Sequence, residues 1–407
     1  MGYTKDTIKG FSWIGGVRVV IRGLVFFKTL IIARILTPSQ FGVFGIVTLL
    51  LALIEIITET GINIFLVQQK ENVDEYISTA WIVSLARGVL IALAILISAP
   101  YVARFFHAPN AYDVIAWSSL IPLIRGFINP SVILLYKDLR FHREFYFRST
   151  IYLVETIVSV CLVLLMHSVI ALVIGLIISS LTEAILSFFV IKPTPRFSFD
   201  TPLFRNIIHH GKWITGSTIF NYFYQNGDNI VVGRLLGTSS LGLYDMAYKI
   251  SLAPMTDFAD VIAKVTFPVY VKISEDSRRL RKAFLKTLGI VIVIVFPIGI
   301  AISVFAKPII LFVLGPQWID AAPALQVLGI FGAVRALSVF AMTPFLSIKK
   351  QHIVMAISLV GLVGLGITIV PFIALWGLPG AGLAALFGTT ATLPVIFYYL
   401  KKHIFTV

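Results

Sequence analysis

The chain is poor in charge and almost free of cysteine: Asp and Glu together number 19 of 407 residues, all charged residues make up 13%, and there is one cysteine. A soluble domain carries roughly a quarter charged residues, so a conventional water-facing surface is excluded for most of this chain. One cysteine excludes an internal disulfide, and Cys161 lies in an apolar run where it reads as a small buried hydrophobe. No G-x-x-x-x-G-K run is present, so the chain offers no phosphate loop for ATP. Histidines show no metal-ligand spacing: His209 and His210 are adjacent, and His107, His142, His167 and His352 are scattered. No cofactor and no metal are expected. The opening MGYTKDTIKGF lacks a short apolar core before a small-residue cleavage site, and Asp6 stands where myristoylation wants Ser or Thr.

What fills the chain instead is apolar: 58% of residues are hydrophobic and the mean hydropathy is +0.95. The apolar runs are about 20 residues long, enough to cross a hydrocarbon core as helices. Short alternating strands of a spanning barrel are missing. The fold class read from this pattern is an all-α polytopic membrane protein of about twelve transmembrane helices. Spans fall near 11–35, 41–67, 76–103, 111–136, 145–167 and 169–191, then near 207–235, 241–270, 284–306, 321–347, 352–376 and 380–400. With the N-terminus cytoplasmic, twenty lysines and arginines fall on inside segments, against four outside: Arg34, Arg104, Arg234 and Lys307. Cytoplasmic loops accumulate such residues, so both termini are expected inside. The same rule accounts for the net charge of +14 without nucleic acid. The segment KPTPRFSFDTPLFR at 192–205 reads as a cytoplasmic linker between lobes 1–191 and 206–407, each of six helices.

The halves resemble each other. A shift of 200 residues lays ARILTPSQFGVF (33–44) on GRLLGTSSLGLY (233–244), and Trp13-Ile14 on Trp213-Ile214. A weaker echo at 210 lays Arg125 on Arg335. An even number of spans per copy gives both copies one topology, as in transporters with parallel repeats, where substrate lies between repeats that rock against each other.

Several stretches carry a family resemblance: ILTPSQFGVF (35–44), DNIVVGRLLGTSSLGLYDMAYKI (228–250), FPVY (267–270), FPIGIAISVFAKPIILFVLGPQW (296–318) and AAPALQVLGIFGAVRAL (321–337). In these the chain resembles the Wzx-type polysaccharide flippases, the lipopolysaccharide, colanic acid and teichuronic acid exporter-like branch of the MOP superfamily. The resemblance implies a V-shaped, MATE-like arrangement of two six-helix lobes around a cavity. It implies transfer of undecaprenyl-diphosphate-linked oligosaccharide from the cytoplasmic to the outer leaflet of a bacterial or archaeal inner membrane. A polysaccharide polymerase and chain-length machinery are the protein partners it suggests, beside the membrane lipids. Many members have fourteen spans, against twelve read here.

Ionisable residues inside a membrane face a partner or a wet cavity. Arg18, Arg22 and Lys28 lie in the first span, Arg87 in the third, Arg125 in the fourth and Arg335 in the tenth. With Lys249 they are the candidates for a cationic cavity, since guanidinium binds phosphate oxygens bidentately. The competing reading pairs Arg18 and Arg22 with Glu55 and Glu59 of the second span. Arg148, at the start of the fifth span, reads as a snorkelling residue. On the eighth span Asp245, Lys249, Asp257, Asp260 and Lys264 form one polar stripe, which either faces a cavity or neutralises itself through neighbours four apart. Pro254 is expected to bend that helix.

The run YFYQNGDNIVVGRLLG (222–237) interrupts an apolar segment with Gln225, Asn226, Asp228 and Asn229. The 200-residue repeat places it inside the seventh span and lays Asp228 on Lys28. Asp228, with Asn226 and Asn229, is a candidate site for coupling to protons or sodium, and Glu55 and Glu59 are others. The alternative for Asp228 is a salt bridge to Lys249 or another base. Thr389, Thr390 and Thr392 of the last span read as packing groups. Two other functions compete: a multidrug/cation antiporter of the same superfamily, disfavoured by the arginines, and a polymerase or ligase, disfavoured by the short outside loops.

Overall fold

The computed structural model describes residues 2–58, 73–138 and 140–405. Every regular element among them is helical. The chain divides into two compact units, Met1–Ile219 and Phe220–Val407. The first holds α1 (Gly2–Ala33), α2 (Pro38–Ile57), α3 (Val73–Phe105), α4 (Ala111–Ser118), α5 (Leu120–Arg125), α6 (Val132–Lys137), α7 (Phe141–Met166) and α8 (Ile170–Val190). A long element, α9 (Thr201–Lys272), leads into the second unit. There follow α10 (Ser277–Val304), α11 (Ala306–Val313), a 3-10 turn (Pro316–Ala321), α12 (Ala322–Ala341), α13 (Thr343–Ser347), α14 (Gln351–Trp376), α15 (Leu378–Leu400) and a closing π-turn (Lys401–Phe405).

Among the described residues, eight segments are long and apolar enough to cross a membrane: Pro38–Ile57, Tyr76–Phe105, Phe141–Met166, Ile170–Val190, Ser277–Val304, Pro316–Ser347, Gln351–Trp376 and Leu378–Phe405. The other four stretches read as crossings fall on α1, on the interrupted run α4–α5–α6, and on the two arms of α9. These are the stretches that carry charges, polar side chains or breaks.

Burial explains why polarity alone does not reveal the inner face of these helices. Along α14, Ile353, Ile357, Gly361, Leu365, Ile369 and Ile373 are buried, while Met355, Leu359, Val363, Ile367 and Val370 are exposed. Both stripes repeat at helical spacing and both are apolar. A helix apolar all round belongs in a core or in lipid, and the exposed stripe assigns lipid. Cys161 on α7 corrects the sequence reading in the same way, since it is exposed and not buried. Its apolar neighbours face outward: Leu153, Ile157, Leu164 and Leu165 are exposed on the same helix. Of the α15 threonines, Thr389 and Thr392 fit the expectation, both buried and the Thr392 hydroxyl donating to the Thr389 carbonyl at 2.6 Å, whereas Thr390 is exposed.

The repeat recurs as local structure. α1 ends before Thr37, whose side chain accepts from the Gln40 N–H at 3.4 Å while Gln40 Oε1 accepts from the Thr37 N–H at 2.9 Å, with Pro38 opening α2. This reciprocal cap stops one helix and starts the next. Two hundred residues on, α9 is broken at Gly237, with φ 82° and ψ −179°. Only glycine adopts that backbone without strain. The same corner is thus made by a cap in one half and by a missing side chain in the other. Pro254 and Pro268 lie in the second arm of α9, where the backbone stays helical.

Helices of the second unit approach at small residues, as is usual where lipid supplies no hydrophobic drive. A Cβ on Gly329 of α12 would lie 2.8 Å from the Gly299 carbonyl oxygen of α10 and 2.9 Å from the Ser303 nitrogen. Gly289, on the same α10, has nothing within 4 Å of a Cβ. Gly329→Val is therefore expected to cost about 1–3 kcal/mol through overpacking, read as a lowered unfolding midpoint of the solubilised protein. Gly289→Ala should leave the midpoint unchanged or raise it.

Candidate functional site

The first unit contains a cavity of about 540 Å³ lined from α2, α3, α5, α6, α7, α8 and the turn before α6. Its charged lining is three arginines, Arg87, Arg125 and Arg148, and three glutamates, Glu55, Glu144 and Glu183. Glu55, Arg87, Arg125 and Glu183 sit in otherwise apolar segments and Glu144 and Arg148 in the polar start of α7, and all six reach a common space. Arg125, ending α5, places Nη1 2.9 Å from Glu55 Oε1 of α2. Arg87 of α3 donates from Nη2 to the Glu55 carbonyl at 2.7 Å and from Nε to the Thr58 hydroxyl at 3.2 Å. Arg148 Nη1 of α7 meets Glu183 Oε1 of α8 at 3.0 Å. Glu144 has no such partner among the described residues. One wall is pinned by Asn129, whose side-chain amide donates to the Pro193 carbonyl at 3.1 Å and whose Oδ1 accepts from the Ser131 N–H at 2.9 Å.

These pairs differ in how firmly they are held. The Arg125 and Glu55 side chains keep 44% and 35% of their exposure. Open pairs of this kind contribute about 1 kcal/mol or less, so a ligand group can replace either partner at little cost. Lys28 and Glu155 form the opposite kind, with Nζ 2.5 Å from Oε1 and exposures of 16% and 7%. Removing one partner of a buried pair costs about 3–5 kcal/mol, so this one is a structural tie between α1 and α7.

A second cluster lies in the second unit. Asp228, on the first arm of α9, is buried and its Oδ2 accepts from the Tyr244 hydroxyl of the second arm at 2.9 Å. Its Oδ1 accepts from the Asn229 N–H at 2.9 Å. Arg335 of α12, also buried, lays its guanidinium over the Tyr224 ring, 4.1 Å from the centroid, and lies within electrostatic reach of Asp228. Tyr248 bridges the two sides, 6.0 Å from the Tyr244 ring and 5.6 Å from Phe331. Asn226 donates to the Tyr222 carbonyl at 3.1 Å, and Asn229 Oδ1 is buried with no hydrogen-bond partner among the described residues.

Of the residues singled out in the sequence, Arg87, Arg125 and Glu55 meet at the cavity, and Asp228, Asn229 and Arg335 meet in the second cluster. The polar run 222–237 is helical up to Gly237, as the repeat implies. Lys249 joins neither group: it pairs with Asp245 at 2.5 Å, as Lys264 does with Asp260 at 3.2 Å. The Asp228–Lys249 bridge considered above is therefore replaced by the Tyr244 hydrogen bond, because Lys249 finds an acid one turn away on its own helix. Glu55 turns to Arg125. Arg22 is exposed on α1 and does not line the cavity. Glu59 and the Arg18 side chain lie outside the described residues. Sequence reasoning missed Glu155, Glu183 and Glu144, although the rule used for the arginines, an ionisable group in an apolar run, finds the first two. It read Arg148 as snorkelling, where the structure gives it Glu183. It also passed over Tyr224, Tyr244 and Tyr248, whose i, i+4 spacing at 244 and 248 was the available signal.

The chain matches the family described as polysaccharide biosynthesis protein over residues 31–323. It is 24% identical to the lipopolysaccharide biosynthesis protein WzxC of Escherichia coli (strain K12), over 83% of this chain and 69% of that protein. It is 24% identical to the teichuronic acid biosynthesis protein TuaB of Bacillus subtilis (strain 168), over 82% and 70%. Among solved structures, lipid II flippase MurJ in an inward closed conformation aligns with a TM-score of 0.80 at 14% identity, covering 97% of this chain and 87% of that one. An inward-facing multidrug resistance MATE family transporter of the MOP superfamily aligns with a TM-score of 0.70 at 16% identity, covering 93% of each. At these identities the likeness is one of fold, a helical membrane-transporter fold. The match over residues 31–323 carries the family, in keeping with the resemblance read from 35–44 and 228–250: the chain belongs to the polysaccharide biosynthesis protein family.

Proposed function

We propose that the protein flips undecaprenyl-diphosphate-linked oligosaccharide from the cytoplasmic to the outer leaflet of a bacterial or archaeal inner membrane. On this reading twelve helices cross the membrane in two six-helix lobes, 1–191 and 206–407, joined by the 192–205 linker, with both termini cytoplasmic. Alternating access comes from rocking of the lobes. Catalysis plays no part.

The observation that carries the proposal is the cavity of the first unit. With the orientation above, α2 descends to the cytoplasm, α3 rises from it, the fourth crossing descends, α7 rises and α8 descends. Glu55, Arg87, Arg125, Glu144, Arg148 and Glu183 then all fall in the cytoplasmic halves of their crossings, where a substrate made in the cytoplasm enters. Guanidinium supplies only donors and carboxylate only acceptors, whereas a sugar hydroxyl does both. A wall of open Arg–Glu pairs suits a glycan, and the same arginines suit the diphosphate once they turn from their glutamates. In the second unit Arg335, over the Tyr224 ring, is a further candidate for binding the substrate. Asp228, with Asn226 and Asn229, is the proposed proton- or sodium-coupling group, and Glu55 is a further candidate. A polymerase and chain-length machinery would receive the product. The family match supports polysaccharide export over the cation antiporter, and so do the arginines at the cavity.

Deletion of the gene should abolish the surface polysaccharide and leave its lipid-linked precursor on the cytoplasmic side. Arg125→Ala and Arg335→Ala, returned to the deletion strain, should each lower export by about tenfold, equivalent to about 1.4 kcal/mol, with unchanged protein in the membrane. Normal surface polysaccharide in both would overturn the role of these arginines. The orientation has its own check. Fluorescent-protein fusions to either end should glow and alkaline phosphatase fusions should stay inactive, and the reverse pattern at either end would refute the assigned orientation.

A further inference from the structure

At one end of the second unit, basic side chains from three distant parts of the chain converge. Arg281 lies in the first turns of α10, Lys350 and His352 at the start of α14, and Lys402 and His403 in the closing π-turn. Aromatic contacts fasten the turn: Phe405 packs on Phe284 of α10 with ring centroids 6.5 Å apart, and His403 stacks on Tyr399 at 6.1 Å. Arg281 lies over the Phe405 ring, 5.2 Å from its centroid. Lys350 Nζ is 2.7 Å from His403 Nδ1, and Lys402 lies 6.0 Å from the Tyr398 centroid. His403 is within electrostatic range of Lys350, Lys402 and His352 together.

Among the described residues no salt bridge reaches Arg281, Lys350 or Lys402. Of the two acids before α10, Asp276 is taken by Arg279 at 3.1 Å and the exposed Glu275 forms no salt bridge with these three. Clustered like charges held in place by packing call for an anion. What lies next to them specifies its kind. Leu285 follows Arg281 by one turn, Met355 follows His352, and Phe397 and Tyr398 precede Lys402; all four are exposed. Cations at the rim of an apolar, outward-facing surface match a molecule with a phosphate head and acyl chains, whereas a soluble phosphate would leave that surface bare.

We propose that this rosette binds the headgroup of an anionic phospholipid of the cytoplasmic leaflet, whose chains run along the exposed face beside Leu285, Met355 and Phe397. Juxtamembrane basic groups attract such lipids additively. The site does not depend on which glycan is carried, and its cytoplasmic placement uses the orientation tested by the fusions above.

The test is native mass spectrometry of the full chain released from micelles containing phosphatidylglycerol and phosphatidylcholine. The unaltered protein should retain phosphatidylglycerol in preference. The triple variant Arg281→Gln, Lys350→Gln, Lys402→Gln should lose at least about tenfold of that retention and keep its phosphatidylcholine. Arg143→Gln, Lys192→Gln, Arg196→Gln, which removes the same charge from the first unit and its linker, should retain phosphatidylglycerol. Equal loss in both triples, or no loss in the first, overturns the proposal. So does a first triple that sheds added undecaprenyl diphosphate while holding phosphatidylglycerol, since the rosette would then serve the substrate. An unchanged unfolding midpoint guards against misfolding. If the triple aggregates, the exposed Lys402→Gln alone must lower retention for the proposal to stand.

Discussion

A charge in hydrocarbon needs a partner, and most of this molecule's organisation follows from that requirement. Isolated ionisable groups at the centre of a bilayer cost several kcal/mol, so α1, α2, α3, α7, α8 and α12 can carry theirs only if neighbouring helices answer them. Glu55 answers Arg125, Glu183 answers Arg148, Glu155 answers Lys28, and Tyr224 with Asp228 answers Arg335. Each reply comes from another helix or another stretch of chain, so the polar pairs also specify which helices are neighbours. The apolar stripes cannot do this alone, since lipid satisfies an isoleucine as well as a neighbouring helix does.

The replies fall into two grades, and the grade tracks the role. Lys28–Glu155 is closed in and behaves as a rivet. Arg125–Glu55 keeps an open side toward the cavity and can exchange partners, and Arg148–Glu183 stands between, with an open arginine and a largely closed-in glutamate. The same residue types thus serve as structure in one place and as a recognition surface in another, with exposure deciding between them. The family supplies a reason for the second grade: proteins of polysaccharide biosynthesis handle molecules that bristle with hydroxyl groups.

The helices and their approximate places were the legible part of the sequence, their ends less so: the second span was read to 67 where α2 stops at Ile57, and α9 begins at Thr201, inside the stretch read as linker. Length and hydropathy locate α2, α3, α7, α8, α10, α12, α14 and α15, because a membrane demands long apolar runs and little else. The repeat made the polar run at 222–237 legible as helix when its composition suggested a loop. Cys161 was misread because an apolar neighbourhood in the sequence means core in a soluble protein and lipid here. The pairs were least legible. Lys28 and Glu155 are 127 positions apart, and nothing local in either segment names the other. Arginines in apolar runs announce a site, but their partners are chosen by packing. Tyrosines such as Tyr244, ordinary in composition, acquire meaning only when the fold aims their hydroxyls.

The Tyr244–Asp228 hydrogen bond spans the corner at Gly237: its donor stands on the outgoing arm and its acceptor on the incoming one. Geometrically it is a chord across a bend. The length of a chord reports the angle it subtends, so any opening or closing of the corner must stretch or relieve this single bond. Its mate in the first half, the Thr37 cap, lies within the corner itself and reports only on the local turn. The two halves share a shape but not a gauge, since in the second a carboxylate registers how far its helix is bent.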